Sequence, residues 1–154
     1  MSEYANAFVF PGQGSQYVGM GKEIAEENAE AAALLKQADD VLGFSLSNIL
    51  FNGPEEELKK TENTQPALFV VSQMVMALLK KEGITFDYFA GHSLGEYSAI
   101  CAGGGISFED GLRLVRKRGE LMAAAGEVRP GAMAAVLGME EADLIAALKE
   151  VSPE

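Results

Sequence analysis

Gly91-His92-Ser93-Leu94-Gly95 joins two segments of opposite conformational preference. Residues 87–90 are short, aromatic and β-prone, which reads as a strand. Residues 94–102 favour a helix, ended by the glycines at 103–105. A Gly-x-Ser-x-Gly sequence at a strand-to-helix turn is a nucleophile elbow. The turn is tight, so small residues on either side of the serine relieve crowding, and the hydroxyl projects above the sheet. The helix that starts at once aims its free N–H groups at whatever the serine attacks. Such a turn belongs to a parallel sheet with a helix packed straight back on it, and it makes Ser93 the candidate nucleophile. The alternative is a purely structural glycine-lined turn.

The rest of the chain agrees with this class. Phe8-Val9-Phe10 reads as a buried strand stopped by Pro11-Gly12. Helices are predicted over 29–42, with Gly43 as the stop, and over 54–60, opened by Pro54. A long, mostly buried helix is predicted over 64–82, ended by Gly83. Ser107 and Asp110 form a capping-box pattern that opens a helix over 108–124. A third strand, 131–138, and an amphipathic helix, 140–150, follow. Strands alternating with helices imply an α/β protein with a largely parallel sheet. Three strands are fewer than the ~4–6 of a usual open sheet, so the chain reads as part of a larger fold.

Composition narrows the function classes. The formal net charge of -11 argues against nonspecific nucleic-acid binding, which needs a basic surface. No apolar run approaches the ~18 residues of a membrane span. Met1-Ser2-Glu3-Tyr4 lacks the basic and apolar regions of a secretory signal. Cys101 is the single cysteine, which rules out a disulfide within the chain and fits a reducing, cytoplasmic location.

The sole histidine, His92, is adjacent to Ser93 but unsuited to be its base. Neighbouring strand side chains point to opposite faces, and the base at an elbow arrives from a later loop. The Gly-rich segment 12–21 does not fit a phosphate loop. A dinucleotide fingerprint would need glycine where Tyr17 stands, and a Walker A motif would need Ser or Thr where Glu23 stands. Such a loop can instead bring a backbone N–H to a developing oxyanion. An elbow takes one N–H from the residue after the serine, here Leu94, and a second from a loop after an early strand, where Gln13 is placed. On the 108–124 helix, at ~100° per residue, Arg118 falls inside the apolar arc between Leu114 and Gly111. A guanidinium there needs an anionic partner, either an internal carboxylate or a ligand. Arg113, Arg116 and Lys117 fall on the opposite face, as a basic patch exposed to solvent.

Together these segments resemble the malonyl-CoA:acyl carrier protein transacylases of fatty acid synthesis. The matching runs are Phe10-Pro11-Gly12-Gln13-Gly14-Ser15-Gln16, Thr64-Gln65-Pro66-Ala67-Leu68, Gly91-His92-Ser93-Leu94-Gly95-Glu96-Tyr97-Ser98-Ala99, Arg118-Gly119 and Gly131-Ala132-Met133-Ala134-Ala135-Val136. The resemblance implies an α/β-hydrolase-like core over residues 1–128, with helices on both faces of its sheet. Residues 129–154 would open an inserted ferredoxin-like subdomain. It implies that Ser93 takes the malonyl group from malonyl-CoA and passes it to the phosphopantetheine thiol of acyl carrier protein. Leu94 and Gln13 would supply the oxyanion N–H groups, Arg118 would hold the malonyl carboxylate and Gln65 would line the pocket. No permanently bound cofactor or metal is implied. The family's catalytic histidine lies in a second half that this chain does not contain, so the chain alone is expected to turn over poorly. Three other readings fit fewer residues. One is an α/β-hydrolase-type serine thioesterase or esterase, and another a polyketide synthase acyltransferase domain, which the short lead into the first motif disfavours. The third is a non-catalytic fragment that only binds a partner.

Overall fold

The computed structural model of the chain describes residues 5–128 and 136–151. Two parallel strands, β1 (Ala7–Phe10) and β2 (Tyr88–Gly91), pair in register from Ala7 opposite Tyr88 to Phe10 opposite Gly91. The crossover between them carries α1 (Lys22–Glu27), α2 (Ala29–Leu42), α3 (Leu46–Asn52), α4 (Glu55–Lys59) and α5 (Thr61–Lys81). After β2 come α6 (Gly95–Ala102), α7 (Phe108–Val128) and α8 (Glu141–Val151). The architecture is an incomplete α/β fold, helix-rich around a small parallel sheet. Of the third expected strand, 131–135 lie outside the described residues, and 136–138 are not in a strand. No described helix is long and apolar enough to cross a membrane.

Local signals set most boundaries. Asn28 caps α2 by accepting from Glu30 N at 2.9 Å and Ala31 N at 3.2 Å, and Gly43 ends it in the left-handed region at φ 74°. Ser107 accepts from Asp110 N at 3.1 Å and donates to the Asp110 carboxylate at 2.8 Å, opening α7 as its sequence predicts. α5 departs from expectation by starting at Thr61, which places Pro66 in the helix interior. Pro66 has no N–H to give the carbonyl of Glu62 one turn back, so that acceptor needs another donor.

That donor comes from α7. Arg116 Nη1 donates to Glu62 O at 2.8 Å and to Asn63 Oδ1 at 2.9 Å. Gly119 makes the approach possible: a β-carbon there would lie 2.7 Å from Glu62 Cα and 2.8 Å from Thr61 O. α5 is the centre of the main core, where Phe69, Val70 and Met74 are fully buried with Leu112 and Val115 of α7 and with Leu46, Leu50 and Leu58. A second cluster joins the sheet to the helices: Phe8, Phe10 and Phe89 pack with Met76 of α5 and with Ala99 and Ala102 of α6. The opposite pleat face is open, with Val9 68% and Tyr88 65% exposed.

Gly119→Ala tests whether close approach or helix propensity governs α7. Propensity alone favours alanine by about 1 kcal/mol. The backbone clash is expected to reverse the sign and destabilise the protein by about 1–3 kcal/mol, read from chemical denaturation.

Candidate active site

Ser93 sits at the elbow between β2 and α6 with φ 53°, the one non-glycine positive φ among the described residues. The left-handed region costs an L-residue about 1–2 kcal/mol, so the turn must be held by its surroundings. Two glycines hold it. A β-carbon on Gly91 would overlap the carbonyl of Gly95, and one on Gly95 would overlap the carbonyl of Phe10 at the end of β1. Leu94 is fully buried in the main core and pins the turn from below. Ser93 itself is exposed, at the N-terminal end of α6.

The loop after β1 comes up against the same turn. Gly12 is so close to His92 that a β-carbon would lie 2.5 Å from Nδ1 and 2.8 Å from the carbonyl. His92 therefore packs on this loop, its N–H donating to Phe10 O at 3.1 Å. The loop is braced from within: Ser15 Oγ donates to Gly12 O at 2.8 Å, and Gly14 N donates to Gln16 Oε1 at 2.8 Å. The Gln13 side chain donates to Thr61 Oγ1 at 3.2 Å, which ties the loop to the start of α5. This leaves the backbone N–H groups of Gln13 and Leu94 without a partner among the described residues.

Arg118 reaches the same place from α7. Its Nη2 donates to Ser93 Oγ at 2.9 Å and its Nη1 to Gln65 Oε1 at 2.8 Å. Its guanidinium lies 5.8 Å from the centre of the Tyr97 ring. Among the described residues no carboxylate comes within 4.0 Å of it, whereas Arg113 has two and Arg116 has one. Of the two partners open to Arg118 in the sequence, an internal carboxylate is thus not found there. Gln65 is fully buried, and its Nε2 lies 3.2 Å from Met122 Sδ, which turns its carbonyl towards Arg118. An open groove of about 560 Å³ runs past this point, lined by Tyr97, Leu114, Lys117, Arg118, Leu121 and Met122. The structure thus brings together Ser93, Leu94, Gln13, Gln65 and Arg118, although they lie on four separate stretches of chain.

Two readings from the sequence change. Leu114 and Leu121 belong to the apolar arc of α7 but are 48% and 58% exposed, because the arc lines the groove as well as the core. The basic patch of Arg113, Arg116 and Lys117 is not a free cationic surface. Arg113 pairs with Glu109 and Asp110, and both Arg116 and Lys117 pair with Glu120. Arg116 is also half-buried, its guanidinium 5.0 Å from the centre of the Phe44 ring. The signal that could have shown this is Pro66, which leaves a carbonyl in need of a donor. Burial pushes the thiol pKa of Cys101, in α6, up.

An elbow serine in the left-handed region, two N–H groups with no partner among the described residues and a guanidinium on the serine oxygen mark an α/β protein of the acyltransferase class. Residues 7–153 match the family model described as acyl transferase domain, and the chain belongs to that family. It is 51% identical over 146 residues to the malonyl CoA-acyl carrier protein transacylase of Bacillus subtilis, covering 95% of this chain and 45% of that protein. The malonyl-CoA:acyl carrier protein transacylase structure from Xanthomonas oryzae superposes with TM-score 0.89 at 42% identity, covering 99% of this chain and 49% of that one. A type II polyketide synthase malonyl-transacylase in complex with its acyl-carrier protein superposes with TM-score 0.86 at 40% identity, covering 97% and 48%. The chain spans about half the length of these relatives.

Glycine accepts the left-handed turn at position 93 without the β-carbon penalty. Ser93→Gly is therefore expected to be more stable than Ser93→Ala by about 0.5–1 kcal/mol in thermal or chemical unfolding.

Proposed function

We propose that this chain carries the nucleophile and the acyl-binding half of a malonyl-CoA:acyl carrier protein transacylase. The observation that carries the reading is the contact between Arg118 and Ser93. A guanidinium without a carboxylate partner among the described residues, touching the serine oxygen, suits an acyl group whose own carboxylate lies one methylene from the thioester carbonyl. Malonyl has that arrangement. A planar fork takes a carboxylate through two parallel hydrogen bonds.

The steps follow from the arrangement. Malonyl-CoA enters the groove and Arg118 turns from Ser93 Oγ to the substrate carboxylate. Ser93 Oγ then attacks the thioester carbonyl, and its proton passes to a base, which in the resembled family is a histidine outside this chain. The carbonyl oxygen becomes an oxyanion that accepts from the N–H groups of Leu94 and Gln13. Backbone donors fixed in place before the reaction stabilise that charge without reorganising. Collapse breaks the C–S bond, leaves malonyl on Ser93 and releases the CoA thiolate, which takes up a proton. The phosphopantetheine thiol of acyl carrier protein attacks the malonyl ester in turn, and Ser93 regains its proton. Gln65, through its carbonyl, holds Arg118 within reach of both the serine and the ligand. The division into a core at 1–128 and the start of a small subdomain at 129–154 belongs to the same proposal. So does a cytoplasmic location, which fits the single, half-buried thiol of Cys101.

Incubation with malonyl-CoA is expected to add one malonyl group to Ser93, seen by intact mass and peptide mapping, and Ser93→Ala should abolish the adduct. Arg118→Ala is expected to slow malonyl loading by about 10²-fold, through the loss of two charge-assisted hydrogen bonds. Free malonate, with none passed to the carrier-protein thiol in the longest form the reading frame encodes, would assign the site to a hydrolase instead.

A further inference from the structure

Arg116 and Arg118 flank the buried stripe of α7 from opposite sides. Taking Val115 as the centre, Arg118 lies about 60° to one side and Arg116 about 100° to the other, at about 100° per residue. Gly111, Leu112, Val115 and Gly119 fill the stripe between them and are buried. Both arginines reach α5 near its N-terminal end. Arg118 takes the side chain of Gln65, and Arg116 takes the backbone of Glu62 and the side chain of Asn63. α7 is thus tied to α5 by a guanidinium group on each flank of its buried stripe.

The Arg116 flank is the more firmly held. Its Nε donates to Glu120 at 2.8 Å, its Nη1 makes the two α5 bonds, and its plane rests on Phe44. The acceptor at its centre, Glu62 O, is open only because Pro66 brings no N–H to it. Gly119 lies against Glu62 Cα, so the two helices touch at the residue whose carbonyl Arg116 binds. Arg118 has looser company: its partners are a neutral amide and a hydroxyl, and it borders an open groove.

We propose that Arg116 is a positioning residue that acts through Arg118. By fastening the far flank of α7 to the carbonyl that Pro66 leaves open, it fixes the roll of the helix and keeps Arg118 directed at Ser93, and so sets the preference for acyl groups that carry a carboxylate. The inference rests on the reading of Arg118 as the carboxylate-binding residue. Its chemistry is geometric. A small roll of α7 moves the tip of a long side chain by an ångström or more, while the buried stripe still packs.

The test compares binding of malonyl-CoA with that of acetyl-CoA, the same thioester without the carboxylate. It uses the protein in the longest form its reading frame encodes, with Ser93→Ala throughout so that neither thioester acylates it, and dissociation constants from titration calorimetry. The quantity read is the acetyl-CoA Kd divided by the malonyl-CoA Kd. Arg116→Gln is expected to lower this ratio about tenfold, as misplacement of a positioned group does. A packing role alone would weaken both ligands together and leave the ratio unchanged, which would overturn the proposal. Pro66→Ala is the second variant. It restores an N–H to Glu62 O in competition with Arg116, and alanine suits a helix interior better than proline. It is expected to lower the ratio as well, and adding it to Arg116→Gln should lower it no further, since both act on one carbonyl. If Arg116→Gln does not fold, an unchanged ratio in Pro66→Ala overturns the proposal. The underlying reading fails separately: a ratio near one in the Ser93→Ala parent that Arg118→Ala leaves unchanged would remove the carboxylate site, and this inference with it.

Discussion

The backbone of the elbow lies directly on the end of β1. A β-carbon on Gly95 would overlap the Phe10 carbonyl, and one on Gly91 would overlap Gly95 itself. This crowding is the constraint from which the site follows. It forces Ser93 into a left-handed conformation, lifts its hydroxyl into solvent and starts α6 immediately behind it. The same contact brings the loop after β1, which carries Gln13, against His92. Buried Leu94 and the aromatic cluster of Phe8, Phe10 and Phe89 offset the strain of the turn.

The placement of the two arginines depends on a second close approach. α7 meets α5 where Gly119 replaces bulk with contact and where Pro66 leaves a carbonyl open. Arg116 spends its hydrogen bonds and its charge inside the protein, on backbone, an amide, a carboxylate and an aromatic face. Arg118, two residues on, has no carboxylate among the described residues and turns to the serine. Two arginines in one helix thus have opposite electrostatic situations. The difference comes from the flank of the helix on which each lies, because side chains of the same type have the same solvation cost.

Much of this was legible in the chain. The elbow glycines, the Gly43 stop of α2 and the Ser107–Asp110 box are local devices, acting over a few residues, and the structure carries each of them. The apolar arc of α7 was legible too, together with the oddity of Arg118 within it. Arg116 was not, because helical periodicity assigns a residue to a face without saying which neighbours that face meets. It reads as solvent-facing until α5 and Phe44 are in place. The start of α5 is not legible for a related reason: a proline at position 66 suggests the first turn of a helix, and α7 supplies the donor that lets it lie deeper.

The sequence by itself determined the parts: a serine in a turn only small neighbours permit, a glycine-rich loop that fits no phosphate motif, and a charge misplaced on an apolar arc. These are matters of local sterics and period, and they need no partner to be read. The tertiary structure alone decided that the parts converge. Ser93, Gln13, Gln65 and Arg118 stand on different stretches of chain, and their hydrogen bonds exist only once β1 lies beside β2 and α7 lies across α5. Which arginine is tied into the framework and which is open to a ligand follows from that packing, since pairing depends on distance in space.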